Sequence, residues 1–311
     1  MANAAPKIER PFDIVCDTDD EKEWLSHRHT GLGASEIGAI IGSDHRSSPV
    51  KLFYEKLGII EPDDLSDVEA VQWGHTLEPV IAREFAERTG RKVTTGRKHR
   101  FQTLRSREHQ WAMASLDFWT GEGSELWPLE VKNVTAWKAE DWANGAPEYF
   151  LAQLQQQLLV TGAERCTSAC LLGGNRLLWC DVERDETMIR KIIFHGAIFW
   201  QRIVQGEPPE PDGSEATKAV LAKLYPSDDG SIVKLPAALE SIVYQWRELK
   251  ERTKGDEKQI ALLEAQIKST LGAAQRGIFP GGDSVSWASQ ARKAYTVQPG
   301  TYRVLRFHER K

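Results

Sequence analysis

Alternating apolar and polar residues in the middle of the chain predict an antiparallel β-hairpin. Residues 110–120 are rich in apolar and aromatic side chains, residues 121–124 form a glycine-containing turn cluster, and the apolar run resumes at 126–131. Runs of this length bounded by turn residues are typical of two strands joined by a tight turn. A basic segment at 92–103 precedes them and is expected to form the third strand of a meander.

Helical periodicity surrounds this hairpin on both sides. In several segments, apolar residues recur three or four positions apart, which is the spacing of one buried helix face. The predicted helices cover 17–27, 48–58, 68–90 with a kink at Pro79, 137–145 and 148–161. Two short apolar strands are predicted at 166–172 and 177–182. This order of elements predicts a mixed α/β fold, with a central mixed sheet flanked by helices.

Residues 213–311 are expected to form an appendage to a domain of residues 1–212. Within the appendage, residues 235–271 predict two helices broken near Gly255, as a helical hairpin or a short coiled coil. Residues 281–311 predict short strands that end in a basic cluster. The cluster contains Arg292, Lys293, Arg303, Arg306, Arg310 and Lys311. It either packs on a neighbouring subunit or holds phosphate groups.

Composition and charge are those of a globular protein with two unlike parts. The 311 residues, 41% of them hydrophobic, are enough for a sizeable core. Residues 1–212 hold 24 Lys and Arg against 34 Asp and Glu, whereas residues 213–311 hold 16 against 11. This asymmetry indicates an acidic, metal-binding body with a basic attachment surface. The chain has no apolar run of the ~20 residues that a membrane span needs. We therefore expect a cytoplasmic protein without membrane contact.

The four cysteines include no C-x-x-C pair, and they are expected to be reduced because an intracellular chain keeps its thiols reduced. Cys166, Cys170 and Cys180 fall on the two predicted apolar strands, where ordinary packing accounts for them. An iron–sulfur cluster is therefore disfavoured.

Three charged residues on the predicted hairpin are the first candidates for chemistry. Strand geometry puts Glu130 and Lys132 on one face, and Leu129 and Val131 on the core face. Asp117 stands inside an apolar run, where a lone carboxylate is costly without a cation or partner. With the predicted turn, Asp117 comes opposite Glu130 across the ladder, so the two carboxylates can share one cation.

Carboxylate oxygens of this kind suit Mg²⁺, with Mn²⁺ as a substitute. A Glu-x-Lys sequence taken alone is more typical of a solvated strand face with a weak ion pair. The apolar surroundings of Asp117 favour the metal site.

A glycine-rich turn leads into a short predicted helix at Ser35, seven residues after Arg28. Free N–H groups and the dipole at a helix N-terminus attract an anion, and a hydroxyl with a nearby guanidinium completes a phosphate pocket. The alternative is that Ser35 only caps the helix, which is the commoner role of serine there.

Three more polar residues lie on predicted helices. Glu78 lies beside the buried stripe of the helix at 68–90. Gln153 and Gln157 share a face of the helix at 148–161, where their amides can hydrogen-bond a DNA backbone or a metal-bound water.

These features occur in one order along the chain: Arg28 with Ser35, Trp73-Gly74 with Glu78, Asp117, Glu130-Val131-Lys132, and Gln153 with Gln155. In order and approximate spacing they resemble the YqaJ-like viral recombinases, the group that includes phage lambda exonuclease, within the PD-(D/E)XK nuclease superfamily. The resemblance spans roughly residues 22–205. Leu116 stands where the superfamily pattern has a proline, which does no metal chemistry.

The resemblance implies a PD-(D/E)XK core and a Mg²⁺-dependent 5′→3′ exonuclease. Such an enzyme degrades one strand of linear double-stranded DNA and leaves single strand for recombination by annealing. The resemblance also implies a homo-oligomer, with a ring-shaped trimer favoured, and a partner protein that anneals the single strand. The setting would be a phage or prophage in a bacterial host.

The resemblance further implies roles for single residues. Asp117 and Glu130 would hold the metal with help from the Val131 carbonyl, while Lys132 would orient or acidify the attacking water.

The remaining matched residues have roles around that centre. Glu78 and Gln153 would complete the metal and water shell, Arg28 and Ser35 would bind the 5′ phosphate, and Gln157 would be a further DNA contact. Two other function classes stay open at this point. One is a site-specific or structure-specific endonuclease with the same metal site, and the other is a non-catalytic DNA-binding module.

Overall fold

The computed structural model describes residues 10–44, 47–123, 125–227, 236–271, 275–278 and 284–286. The chain divides into two compact units, Met1–Leu224 and Tyr225–Lys311. No helix within the described ranges has both the length and the apolar character needed to cross a membrane.

The strands are β1 (Phe12–Thr18), β2 (Leu32–Gly33), β3 (Lys92–Thr94), β4 (Phe101–Ser106), β5 (Ala112–Ala114), β6 (Phe118–Glu122), β7 (Glu125–Val134), β8 (Arg165–Leu172), β9 (Arg176–Glu183), β10 (Arg276–Ile278) and β11 (Ser284–Ser286). The helices are α1 (Glu21–Arg28), α2 (Ile37–Ile41), α3 (Pro49–Lys56), α4 (Glu69–Thr89), α5 (Glu148–Thr161), α6 (Glu186–Gln205), α7 (Glu215–Leu224) and α8 (Ala238–Leu271), with 3₁₀ turns at Ala34–Glu36 and Ala136–Lys138.

The larger sheet has the strand order β3-β6-β7-β8-β9. Strands β6 and β7 form the predicted hairpin, in a register that places Phe118 opposite Leu129. Strand β3 adds to β6 as the predicted third strand of the meander. Strand β8 runs parallel to β7, while β9 returns antiparallel to β8. The predicted mixed α/β fold with a central mixed sheet is therefore confirmed.

Helices cover both faces of β7. On one face, Ile81 and Phe85 of α4 pack with the core residues Leu129 and Val131. On the other face, α5 lies across β7 and β8 and carries a continuous apolar stripe, including Leu154 and Leu158, into the main core. Because the sheet is covered on both sides, any polar side chain in the middle of β7 must find partners inside the protein.

The predicted strand at 110–120 is wrong in one respect, because it is two strands. β5 pairs with β4 and β2 in a second sheet of order β1-β4-β5-β2, whereas β6 belongs to the larger sheet. The segment 115–117 crosses between the sheets. For the same reason, only the first part of the predicted strand at 92–103 joins the meander, since β4 pairs with β1.

Two predicted helical features are also corrected. The segment predicted as a helix at 137–145 contains only the end of the 3₁₀ turn Ala136–Lys138 followed by turns. The expected helical hairpin is instead one continuous helix, α8, which runs through Gly255. The predicted basic strands at 281–311 lie outside the described residues, except for β11.

The boundary between the units falls later than the expected position at 212/213. Helix α7 lies with the first unit because Val220 packs against Val50 and Ile60. A salt bridge of 3.1 Å between Lys223 and Asp63 adds to this contact.

Candidate active site

Glu130 is a buried carboxylate between β7 and α5, with 3% of its side chain exposed. Its Oε1 atom accepts hydrogen bonds from Lys132 Nζ at 2.6 Å and Gln153 Nε2 at 2.5 Å. Its Oε2 atom accepts a hydrogen bond from Gln157 Nε2 at 2.6 Å. A charged, well-packed residue with three donors is held in one orientation, as the ligand of a metal must be.

Asp117 lies directly beside this carboxylate. Continuing the β6–β7 register by one residue places it opposite Glu130, and its Oδ2 atom accepts a hydrogen bond from the Val131 N–H at 2.9 Å. Burial raises the pKa of Asp117 well above its usual range, and the charges of Glu130 and Glu78 raise it further. Two carboxylates this close repel each other, so a cation between them is favourable.

Lys132 places a positive charge next to this pair. Burial lowers its pKa, but the charges of Glu130 and Asp117 outweigh burial, so that the net pKa is raised. The Nζ atom also lies 5.1 Å from the centre of the Phe150 ring, within cation–π range. Lys132 therefore stays protonated, with 35% of its side chain exposed to solvent.

Glu78 completes the charged group from the direction of α4. Burial raises its pKa, the charges of His75 and Lys132 oppose that shift, and Glu130 adds to it. The carboxylate bonds His75 Nδ1 at 3.2 Å and keeps 27% of its side chain exposed. The structure thus brings Glu78 and Gln153 to the cluster of Asp117, Glu130 and Lys132.

The oxygen donors of this site suit Mg²⁺ better than a metal that takes all of its ligands from the protein. Within the described ranges, no three His, Cys, Asp or Glu side chains are grouped so that they could hold a metal. Mg²⁺ commonly keeps several waters and binds one or two carboxylates together with substrate phosphates. Asp117 and Glu130 offer two hard oxygen donors, and substrate phosphate and water would supply the other ligands of such an ion.

The prediction that Gln157 contacts DNA is corrected by its position. Its side chain is fully buried, and its amide donates to Glu130. The neighbouring Gln156 is also fully buried and donates to the carbonyls of Leu32 and Met113. The glutamines of α5 therefore point inward, and Gln157 orients Glu130 rather than reaching solvent.

Arg28 and Ser35 lie at the neighbouring strand pair, where β2 runs beside β5. The Arg28 guanidinium stacks over Trp24, whose indole N–H lies 3.5 Å from the hydroxyl of Ser115, two residues before Asp117. Ser35 is exposed in the 3₁₀ turn, caps no helix, and has no hydrogen-bond partner among the described residues. Its alternative role as a helix cap is therefore absent.

Two residues that support Arg28 were missed at the sequence level. Glu36 bridges Arg28 Nη2 at 2.9 Å and Lys56 Nζ at 2.8 Å. Burial raises the pKa of Glu36, but the charges of Lys56 and Arg28 outweigh it and the net pKa is lowered. Lys56 lies on the buried face of α3 together with Leu52 and Phe53. A lysine at an apolar position of the helical pattern is seldom buried without a partner, so this spacing could have predicted a buried ion pair.

We expect Lys56→Met to destabilise the protein by about 3 kcal/mol, because removing one partner of a buried ion pair leaves the other charge uncompensated. Only 4% of the Lys56 side chain is exposed. Urea unfolding of both proteins measures this difference. Lys51→Met is the matched control on the same helix, because its pairing with Asp63 lies near the surface and should contribute about 0–1 kcal/mol. Equal losses in the two variants would contradict the assigned role of Lys56.

The larger sheet thus places an acid, Asp117, directly before β6 and a Glu-x-Lys pair on β7. A model of the YqaJ-like viral recombinase domain matches residues 23–164. An uncharacterized protein of Bacillus subtilis (strain 168), YqaJ, is 32% identical over 271 residues, which cover 85% of this chain and 82% of that protein. The chain belongs to the YqaJ-like viral recombinase family.

Two exonucleases are among the solved structures that the chain resembles. The alkaline exonuclease LHK-Exo from Laribacter hongkongensis is 20% identical, with a TM-score of 0.48, over 66% of this chain and 100% of that chain. A phage-related exonuclease from Haemophilus somnus 129PT is 11% identical, with a TM-score of 0.40, over 58% of this chain and 98% of that chain. Family membership rests on the sequence matches alone.

Proposed function

We propose that this protein is a Mg²⁺-dependent nuclease that degrades one strand of linear double-stranded DNA in the 5′→3′ direction. The observation that carries the proposal is the cluster of Asp117, Glu130 and Lys132 at one end of the β6–β7 pair. Two adjacent acids, Glu130 buried and Asp117 partly buried, with a protonated lysine are the groups that phosphodiester hydrolysis needs.

The proposed chemistry follows from charge. Hydrolysis places negative charge on the phosphate and on the leaving 3′ oxygen. Asp117 and Glu130, with help from the Val131 carbonyl, would hold a divalent cation, which would supply positive charge against both. Lys132 orients the attacking water and stabilises charge as it forms, while Gln153 and Gln157 keep Glu130 in place. Glu78 completes the shell by accepting a hydrogen bond from water.

The direction of degradation is assigned to Arg28 and Ser35. An exposed hydroxyl without a partner and a guanidinium with 33% of its side chain exposed offer donors to a terminal phosphate. The helix after Ser35 has only five residues, so these two side chains carry the binding rather than a helix dipole. A 5′ phosphate held there positions the adjacent phosphodiester at the metal site.

The activity is tested with linear and covalently closed duplexes of one sequence, with and without Mg²⁺. We expect degradation of the linear duplex only, loss of activity in EDTA, and release of a 5′ label before a 3′ label. Mn²⁺ should restore activity. Cleavage of the closed circle would instead make the protein an endonuclease, and binding without cleavage would make it a DNA-binding module.

The end preference gives a second test. We expect wild-type protein to degrade duplex with 5′-phosphate ends on the order of 10- to 100-fold faster than duplex with 5′-hydroxyl ends, since hydrogen bonds to a charged group contribute about 1.5–3 kcal/mol. Arg28→Ala combined with Ser35→Ala should remove most of this preference. Arg88→Ala, which removes an exposed arginine from α4, is the control and should keep it. If the double variant kept the preference for 5′-phosphate ends, Arg28 and Ser35 would not be the residues that set the direction of degradation.

The biological setting is part of the same proposal. We place the protein in the cytoplasm of a phage-carrying bacterium, acting on double-stranded DNA ends as a homo-oligomer, with a ring-shaped trimer favoured. A single-strand annealing protein would take over the strand that remains. Co-purification of the two proteins and the mass in solution test these assignments.

A further inference from the structure

Helix α8 exposes a row of large apolar side chains along its length. The exposed fractions are 54% for Leu249, 55% for Ile260 and 47% for Leu263. Together with Trp246, these residues occupy the a and d positions of a heptad pattern, so they share one face of the helix. An apolar stripe of this kind is the contact surface of a coiled coil.

The length of the helix and a glycine near its centre make its stability depend on packing. It spans 34 residues, which corresponds to about 51 Å, and it contains Gly255 near its centre. A glycine inside a helix costs about 1 kcal/mol, and helical stability in proteins comes mainly from packing of an apolar face. We therefore expect the apolar stripe of α8 to pack against a partner helix.

The order of residues along the stripe selects an antiparallel partner of the same sequence. When two copies of α8 are aligned antiparallel about the point between Lys254 and Gly255, Leu249 faces Ile260. In the same register, Trp246 faces Leu263. The apolar layers of one half of the helix thus match those of the other half.

The polar layers at the centre agree with this register. The a and d positions nearest the midpoint are Thr253 and Asp256, and antiparallel pairing places the hydroxyl of one copy against the carboxylate of the other. Parallel pairing would place Asp256 against Asp256, which is unfavourable for two buried like charges. At the flanking e positions, antiparallel pairing brings Lys250 beside Glu257 of the second copy, which is a pair of opposite charges.

Folding the same residues back within one chain would need a break at Gly255. The helix runs straight through that position, so its two halves lie apart along one axis and cannot pack on each other. Among the described residues, the two halves of α8 therefore cannot supply each other's partner, whereas a second copy of the helix can.

We propose that α8 forms an antiparallel, two-fold symmetric coiled coil with α8 of a second copy of this chain. The contact is isologous, because each helix presents the same surface to the other. It is separate from the nuclease proposal, since none of its residues belongs to the acidic cluster or the phosphate pocket.

The mass of the full chain in solution, measured by light scattering, tests the contact. We expect Leu249→Asp combined with Ile260→Asp to halve the mass of the wild-type assembly. Leu262→Asp is the matched control, because Leu262 is 53% exposed but lies outside the stripe, and the mass should not change. A wild-type mass of one or three chains, or an unchanged mass in the double variant, would overturn the proposal, since a two-fold contact requires an even number of chains.

Cysteine cross-linking tests the orientation. Leu249→Cys combined with Ile260→Cys should give a disulfide-linked dimer on oxidation, whereas Leu249→Cys alone should not, because antiparallel pairing keeps the two copies of position 249 apart. Efficient cross-linking by the single variant would show a parallel pair. Linkage of positions 249 and 260 within one chain would show a closed hairpin, and either result would overturn the proposal.

Discussion

Asp117→Asn should reduce DNA cleavage on the order of 10³-fold, because metal-ion catalysis contributes several kcal/mol and each ~1.4 kcal/mol is tenfold in rate. The replacement keeps the shape of the side chain and an oxygen that accepts the Val131 N–H. It removes one of the two charges that hold the cation. Single-turnover rates on a 5′-labelled duplex measure the loss.

The same variant should be more stable than wild type in metal-free buffer. The pKa of Asp117 is raised in the folded protein, so its ionisation opposes folding at pH values above the unfolded value of about 4. This penalty grows as the pH rises towards the folded pKa. We therefore expect a larger melting-temperature advantage for the variant at pH 8.5 than at pH 5.5.

Metal addition provides the control for this result. Mg²⁺ should raise the melting temperature of wild type, because a ligand that binds only the folded state stabilises it, and should have much less effect on the variant. Glu125→Gln removes an exposed carboxylate from the same hairpin and should behave as wild type in both measurements. Cleavage of DNA by Asp117→Asn at the wild-type rate would show that Asp117 does not hold the metal.

Lys132→Ala should reduce cleavage by about 10²- to 10⁴-fold, which is the usual contribution of a positioned proton-transfer or water-orienting group. Its ammonium lies 2.6 Å from Glu130 Oε1, and its charge opposes the rise in the pKa of Asp117. Duplex binding in Ca²⁺ should change little, because Lys132 lies beside the acids rather than on the phosphate pocket.

Lys138→Ala is a close match for this experiment. Lys138 and Lys132 each place Nζ 5.1 Å from an aromatic ring, of Tyr149 and Phe150 respectively. Only Lys132 contacts Glu130, so a similar loss of activity in both variants would show that the aromatic contact, and not the acidic cluster, explains the effect.

The local parts of the fold followed from the sequence. The hairpin, with Leu129 and Val131 in the core and Asp117 opposite Glu130, needed only strand periodicity and a turn. Helices α3, α4 and α5 needed only the helical spacing of apolar residues and end signals such as Gly90. These features depend on neighbours within a few residues along the chain.

The features that were missed depend on distant parts of the chain. Gln157 lies 27 residues from Glu130, and no periodicity shows that α5 would turn its amides towards β7. The transfer of the chain between two sheets at 115–117 depends on β2 and β4, which offer β5 a separate set of partners. Strand β1 was missed because its pairing with β4 joins segments more than 80 residues apart.

The parallel pairing of β7 and β8 has a consequence for how the protein folds. Parallel neighbours require a crossover, and here residues 135–164 form it and include α5. Glu130 therefore gains its hydrogen bonds from Gln153 and Gln157 only after the crossover has closed. Closing this loop costs conformational entropy before those hydrogen bonds can form. A nascent or partly unfolded chain then carries the acids without their fixed geometry. We therefore expect the site to become competent for cleavage at the step in which the native topology forms. Hydrogen exchange at the β7 amides during refolding should report this step.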